Sequence, residues 1–172
     1  VEGRYEMEQN SFDVNSNITS ALEKYSDMVR RICFLYFQNS ADVDDVFQEV
    51  FLRLLQNKTP FESAEHEKAW LIRVTINRCK DVLKSFWRKN IDSIENLELP
   101  FEDKAENELL KVVLALPEKY KDVIYLYYYE EYSVPEMARL LNKSEGTLYS
   151  NLSRARALIK RRLGGEKNDY SF

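Results

Sequence analysis

The 172-residue chain is 44% hydrophobic and 31% charged, the composition of a soluble globular protein long enough for one large domain or two small ones. Two cysteines and one histidine cannot build a zinc site of the usual spacing, and no stretch approaches a membrane span or a signal peptide. A net charge of -4 rules out a global basic field, and four glycines with four prolines force few turns, which favours helices throughout.

Residues 1–16 are polar without sustained periodicity and read as a mobile N-terminal arm. From Asn17, the spacing of Ile18, Leu22, Tyr25, Val29, Ile32, Cys33 and Tyr36 predicts a long helix ending near Asn39, with a break at Asn39 and Ser40. The next helix, residues 43–57, has the cleanest period in the chain. Val43, Val46, Phe47, Val50, Phe51, Leu54 and Leu55 recur at helical spacing and are expected to face a core. Asp45, Gln48, Glu49, Leu52 and Arg53 fall on the other side. A solvated acidic face is the ordinary reading of such a pattern, but Leu52 in its middle hints at a partner surface.

Residues 58–67 read as a loop with one isolated aromatic, Phe61; His66 lies there too and is assigned no role. Residues 68–89 predict a third long helix with Ile72, Ile76, Cys79, Leu83 and Phe86 on its core side. Arg73, Asn77, Lys80, Lys84 and Arg88 form a stripe on the other side, with Trp70 and Trp87 near the ends. That is either a solvated cationic face or a surface that tracks phosphates and stacks on exposed bases. Cys33 and Cys79 sit on apolar faces and read as buried thiols in a reducing cytoplasm.

Residues 90–103 are acidic and end their helix-poor run near Pro100, so they read as a flexible linker between two domains. A helix over residues 104–116 follows, then one opened by Pro117 with Tyr120, Val123, Ile124, Tyr127 and Tyr128 on one side. The tyrosine run is expected to be half-buried packing with wet hydroxyls.

Residues 133–163 predict two helices joined by a turn at Asn142 and Lys143. Ser133 and Glu136 have capping-box spacing, and Ser144 can cap the second helix. Leu148, Leu152, Ala155 and Ile159 form one buried stripe. Tyr149, Ser150, Ser153, Arg154, Ala157, Lys160 and Arg161 lie opposite, where small residues allow close approach to another surface and Tyr149 and Arg154 reach past them. A plain helical hairpin with a basic face would share the charge pattern. The small residues are what a helix entering the major groove needs. Residues 164–172 are a polar tail.

In combination these pieces resemble a known family. DVDDVFQEVFLRLL is similar to the core-polymerase-binding helix of bacterial RNA polymerase sigma factors of the sigma-70 family, extracytoplasmic-function group. KAWLIRVTINRCKDVLKSFWRK resembles the promoter-melting helix, and LPEKYKDVIYLYYYEEYSVPEMARLLNKSEGTLYSNLSRARALIKRRL resembles the second domain. The resemblance implies an all-α chain of two small helical domains: a region 2-like bundle over residues 17–89 and a region 4-like helix-turn-helix over residues 104–163. It implies no catalysis and no cofactor, and as partners core RNA polymerase, promoter DNA and an anti-sigma factor, in the cytoplasm. Asp45, Gln48, Glu49 and Leu52 match the face set against the largest polymerase subunit. Arg73, Asn77, Lys80, Lys84 and Arg88 match the helix that holds the melted −10 strand, with Phe61 as a wall for a flipped base. Tyr149, Ser150, Ser153, Arg154 and Lys160 match positions that meet the −35 box. Tyr149 and Ser153 stand where relatives often carry basic or larger residues, so no −35 sequence is carried over. The alternative is a stand-alone helix-turn-helix regulator that binds DNA as a dimer.

Overall fold

The computed structural model describes the backbone of residues 2–89 and 104–164, and the side chains of residues 17–85 and 109–164. The helices are α1 (Glu2–Phe34), α2 (Ser40–Gln56), α3 (Ala64–Lys89), α4 (Lys104–Leu114), α5 (Glu118–Ile124), α6 (Val134–Leu141) and α7 (Glu145–Leu163), with a π-turn (Tyr125–Tyr129) continuing α5. No strand occurs among the described residues. The chain divides into two units, Val1–Glu95 and Asn96–Phe172. The expected acidic linker (90–103) and all of the tail beyond Gly164 lie outside the described residues.

In the first unit α1, α2 and α3 pack on one another. Their core is drawn from the set that the helical periodicity selects: Tyr25, Val29, Ile32 and Cys33 from α1, Val43, Val46, Val50 and Phe51 from α2, and Ile72, Ile76 and Cys79 from α3, joined by Met28 and Leu71, while Ile18, Leu22 and Leu83 are only half-buried. Four boundaries differ from expectation. The backbone is helical from Glu2, through the segment read as an arm. Helix α1 stops at Phe34, because Leu35, Tyr36 and Phe37 turn their N–H groups onto Ile32 and Cys33 carbonyls. Helix α3 starts at Ala64, because Ser63 caps it: the Ser63 hydroxyl accepts the His66 N–H at 3.1 Å, and Glu65 and Glu67 add charge favoured in a first turn. His66 is therefore on a helix and not in the loop. Helix α2 likewise begins before Val43, because Asn39 Oδ1 accepts the Asp42 N–H at 2.8 Å.

In the second unit α7 packs against α4, α5 and α6. Leu148, Leu152, Ala155 and Ile159 are buried as expected, and Asn151 with them. The Ser133 N–H donates to Glu136 Oε2 at 2.8 Å and closes the capping box of α6. Asn142 ends α6 in the left-handed region (φ 51°), a conformation that Asn tolerates well, and Ser144 accepts the Thr147 N–H at 3.2 Å to start α7. Gly164 closes α7 where a Cβ would stand 2.7 Å from the Lys160 carbonyl oxygen, so the close approach requires glycine.

In the tyrosine run it is the helical period that departs from expectation. Glu130 donates its N–H to the Tyr125 carbonyl, an i to i+5 bond that widens the helix into a π-turn. The wider turn shifts the buried positions to Tyr125 and Leu126 and leaves Tyr127, Tyr128 and Tyr129 exposed. An α-helical period cannot foresee that shift.

Candidate nucleic-acid and partner interfaces

The outer face of α2 presents Asp45, Gln48 and Leu52 to solvent, with Leu52 54% exposed. Leu55, expected in the core, is 43% exposed instead and lies one turn from Leu52, so the apolar part of this face is wider than the sequence suggested. Phe47 and Leu54, also read as core, are half-buried. Glu49 is held from two sides. Its carboxylate accepts from Arg53 at 2.7 Å on the same helix and pairs with Arg78 Nε of α3 at 2.5 Å, an ion pair off the direction of a good hydrogen bond. It thus ties α2 to α3 as well as facing outward. Beside it, Arg30 reaches from α1 to Asp44 at 2.7 Å and covers the Phe47 ring at 4.2 Å.

On α3, Arg73, Asn77 and Lys84 are exposed in one row and Lys80 is half-buried beside them. Arg88 and Trp87 lie outside the described side chains. At the start of this row Phe61 is not isolated: its ring meets His66 at 5.5 Å and Trp70 at 5.6 Å, both edge-on. His66 and Trp70 are four residues apart, so a helix from Ser63 would have revealed the cluster in the sequence. Phe61 also lines a cleft of about 560 Å³ together with Ile18, Lys24, Leu54, Leu55 and Lys58.

On α7, Tyr149 (58% exposed), Ser150, Ser153, Arg154 and Lys160 all face solvent from one side of the helix. Among the described residues Arg154 and Lys160 form no ion pair, so their charge remains available to an incoming anion. Gly146 has open space around its Cα, which keeps the helix start slim. The turn before α7 and the caps of α6 fix this face without using any of its side chains.

Among the described residues no cluster of His, Cys, Asp or Glu could hold a metal ion, and no helix is long and apolar enough to cross a membrane. Cys33 and Cys79 are both buried free thiols. Burial lowers the basicity of Lys121 on α5, partly offset by Glu118 and Asp122. Hydrogen bonds from the Ser133 side chain and backbone hold Glu136 below the usual glutamate range.

Comparison with known proteins places both units. Residues 21–89 match the family model described as Sigma-70 region 2, and residues 106–159 match the model described as Sigma-70, region 4. The ECF RNA polymerase sigma factor SigW of Bacillus subtilis is 25% identical over 158 residues, covering 81% of this chain and 84% of the relative. ECF RNA polymerase sigma factor SigM of Mycobacterium tuberculosis is 26% identical over 140 residues, covering 79% of this chain and 71% of the relative. In overall fold the chain is similar to the sigma factor RpoE of Bartonella quintana, solved with the anti-sigma factor NepR (TM-score 0.69, 18% identity, 88% of this chain and 99% of that one). It is also similar to CnrH, solved with the cytosolic domain of CnrY (TM-score 0.63, 21% identity, 89% and 91%).

Proposed function

Because the chain belongs to the sigma-70 family of RNA polymerase sigma factors, in its extracytoplasmic-function group, we propose that it acts through three separate faces. It binds core RNA polymerase and directs promoter-specific initiation under the control of an anti-sigma factor. It works in the cytoplasm, where polymerase is, and performs no catalysis of its own. Asp45, Gln48 and Leu52, with Leu55, are the polymerase-facing surface. Glu49 contributes there while bracing α2 on α3. Arg73, Asn77, Lys80, Lys84 and Arg88 follow the backbone of the melted −10 strand, and the Phe61, His66 and Trp70 rings receive an unstacked base beside it. Tyr149, Ser150, Ser153, Arg154 and Lys160 meet the −35 box. Residues 90–103 connect the two units as an acidic tether.

The observation that carries this reading is the succession of region 2 and region 4 matches along one chain, each over a unit with its own exposed polar helix face. A dimeric stand-alone regulator is not favoured, since it has no use for the whole of residues 21–89. Binding promoter DNA through few cations per unit gives weak, salt-sensitive affinity; joining both contacts through polymerase raises effective concentration. Purified core polymerase with this chain on a promoter library tests the reading. Initiation at a defined subset of promoters is expected; no initiation, with tight DNA binding by the chain alone, would overturn it.

A further inference from the structure

The tyrosine run and Arg156 are absorbed by none of these faces. Tyr127 and Tyr128 are neighbours in sequence, yet both rings lie against the same guanidinium, with Arg156 Cζ 5.4 Å and 5.5 Å from their centroids. Arg156 Nε donates to the Tyr128 hydroxyl at 2.6 Å, and the two rings meet edge-on at 5.0 Å. The π-turn supports this arrangement from below, where Tyr125 and Tyr129 stack at 5.2 Å and the Tyr125 hydroxyl donates to Glu130 at 2.6 Å. A π-turn is rare and is found disproportionately at functional sites.

The cluster adds little to the core. Leu126, Leu152 and Ile159 are already 0%, 2% and 2% exposed, while Tyr127 and Tyr128 keep 36% and 42% of their surface in water. What the cluster does is aim a cation. One Arg donor is spent on Tyr128, and the remaining fork is the geometry that suits a phosphate. Phenol and guanidinium groups are both common donors to DNA backbone oxygens. Location fits as well. Arg156 follows Ser153 by three residues and precedes Lys160 by four, so it borders the outward row of α7 without belonging to it.

We infer that Tyr127, Tyr128 and Arg156 form a preset contact for one backbone phosphate of the DNA strand bordering the −35 box. The contact holds the recognition helix in register from the side of α7 that meets the π-turn. It carries no base information. The inference rests on α7 being the −35 reader.

The test uses the full chain on core polymerase and promoter duplexes in which single phosphates near the −35 box are replaced by neutral methylphosphonates. With the natural chain, one bordering position should weaken binding about 10-fold, the scale of a charge-assisted hydrogen bond. Arg156→Gln should show the same loss on unmodified DNA, no further loss at that position, and a salt slope reduced by about one, equally for every −35 sequence. Tyr128→Phe, which keeps the packed ring, should give part of the same loss and covers the case in which Arg156→Gln destabilises the unit. Unchanged salt slope and unchanged methylphosphonate sensitivity in both variants would overturn the inference. So would weakened polymerase binding with DNA behaviour intact, which would make the patch a protein contact. Arg154→Ala run in parallel separates the two levels: if it relaxes −35 base preference while Arg156→Gln does nothing, only the phosphate contact fails. If neither variant matters, the −35 reading falls and takes the contact with it.

Discussion

Around α2 of the first unit the charged groups are bound into the fold; along the outward row of α7 in the second they are not. Glu49 is shared between Arg53 and Arg78, and Arg30 lies over Phe47 with its guanidinium on Asp44. On α7, by contrast, Arg154 and Lys160 stand without ion pairs among the described residues, and the helix is positioned by Ser144, Asn142 and the Ser133–Glu136 cap. A charge counted from sequence is therefore not yet a binding surface. It becomes one only after its partners within the fold are subtracted, and that subtraction removes more from α2 than from α7.

The comparison can be broken at several strengths. The largest effect is expected where α7 is anchored: Leu148 is fully buried, so Leu148→Ala should cost ~2–5 kcal/mol in denaturant unfolding and remove −35 dependence with it. A loss under half a kilocalorie would mean that α7 is not seated as described. Next come the α2 substitutions. Leu52→Asp should weaken polymerase binding by about 2 kcal/mol, the level of an interface hot spot, with the melting temperature unchanged. Glu49→Lys should lower both affinity and stability, because it places a third cation between Arg53 and Arg78. Equal melting temperatures for the two variants would show that the Glu49 bridge does not brace the helices.

On the unbound face, Arg154→Ala should relax preference at one −35 position by ~1–3 kcal/mol of discrimination and leave folding intact. An unaltered selection profile would count against that assignment. The smallest effect concerns the cap. Ser133→Ala should cost ~0.5–2 kcal/mol and raise the Glu136 pKa toward the ordinary value. Since the folded pKa of Glu136 is depressed, its contribution is complete above the unfolded glutamate pKa and fades as pH falls through the lower folded one. Acid unfolding of the natural chain should therefore lose this increment, while Ser133→Ala should show a shallower dependence in that window.

Legibility in the sequence cut across that division. Long amphipathic stretches such as Val43 to Phe51 announce their buried side because a period repeated over several turns outweighs local detail. Caps at Ser133 and Ser144, and a turn at Asn142, were readable because each has a residue type suited to it. Three things were not. Ser63 caps α3 from inside what reads as a polar loop, so Phe61 seemed solitary until His66 and Trp70 came round beside it. The π-turn adds one residue to a helical turn, and that extra residue takes Tyr127 and Tyr128 off the side on which Tyr120, Val123 and Ile124 are buried. Leu55 escaped for a simpler reason: at the end of α2 the core it would face gives way to the cleft beside Phe61.

The most direct measurement is the equilibrium affinity of one promoter fragment carrying both boxes, first for the chain alone and then for the chain on core polymerase. Linking two weak contacts through a fixed frame should tighten binding by at least ~100-fold and make it depend on both boxes. Equal affinity in the two cases, or dependence on only one box with polymerase present, would contradict the account.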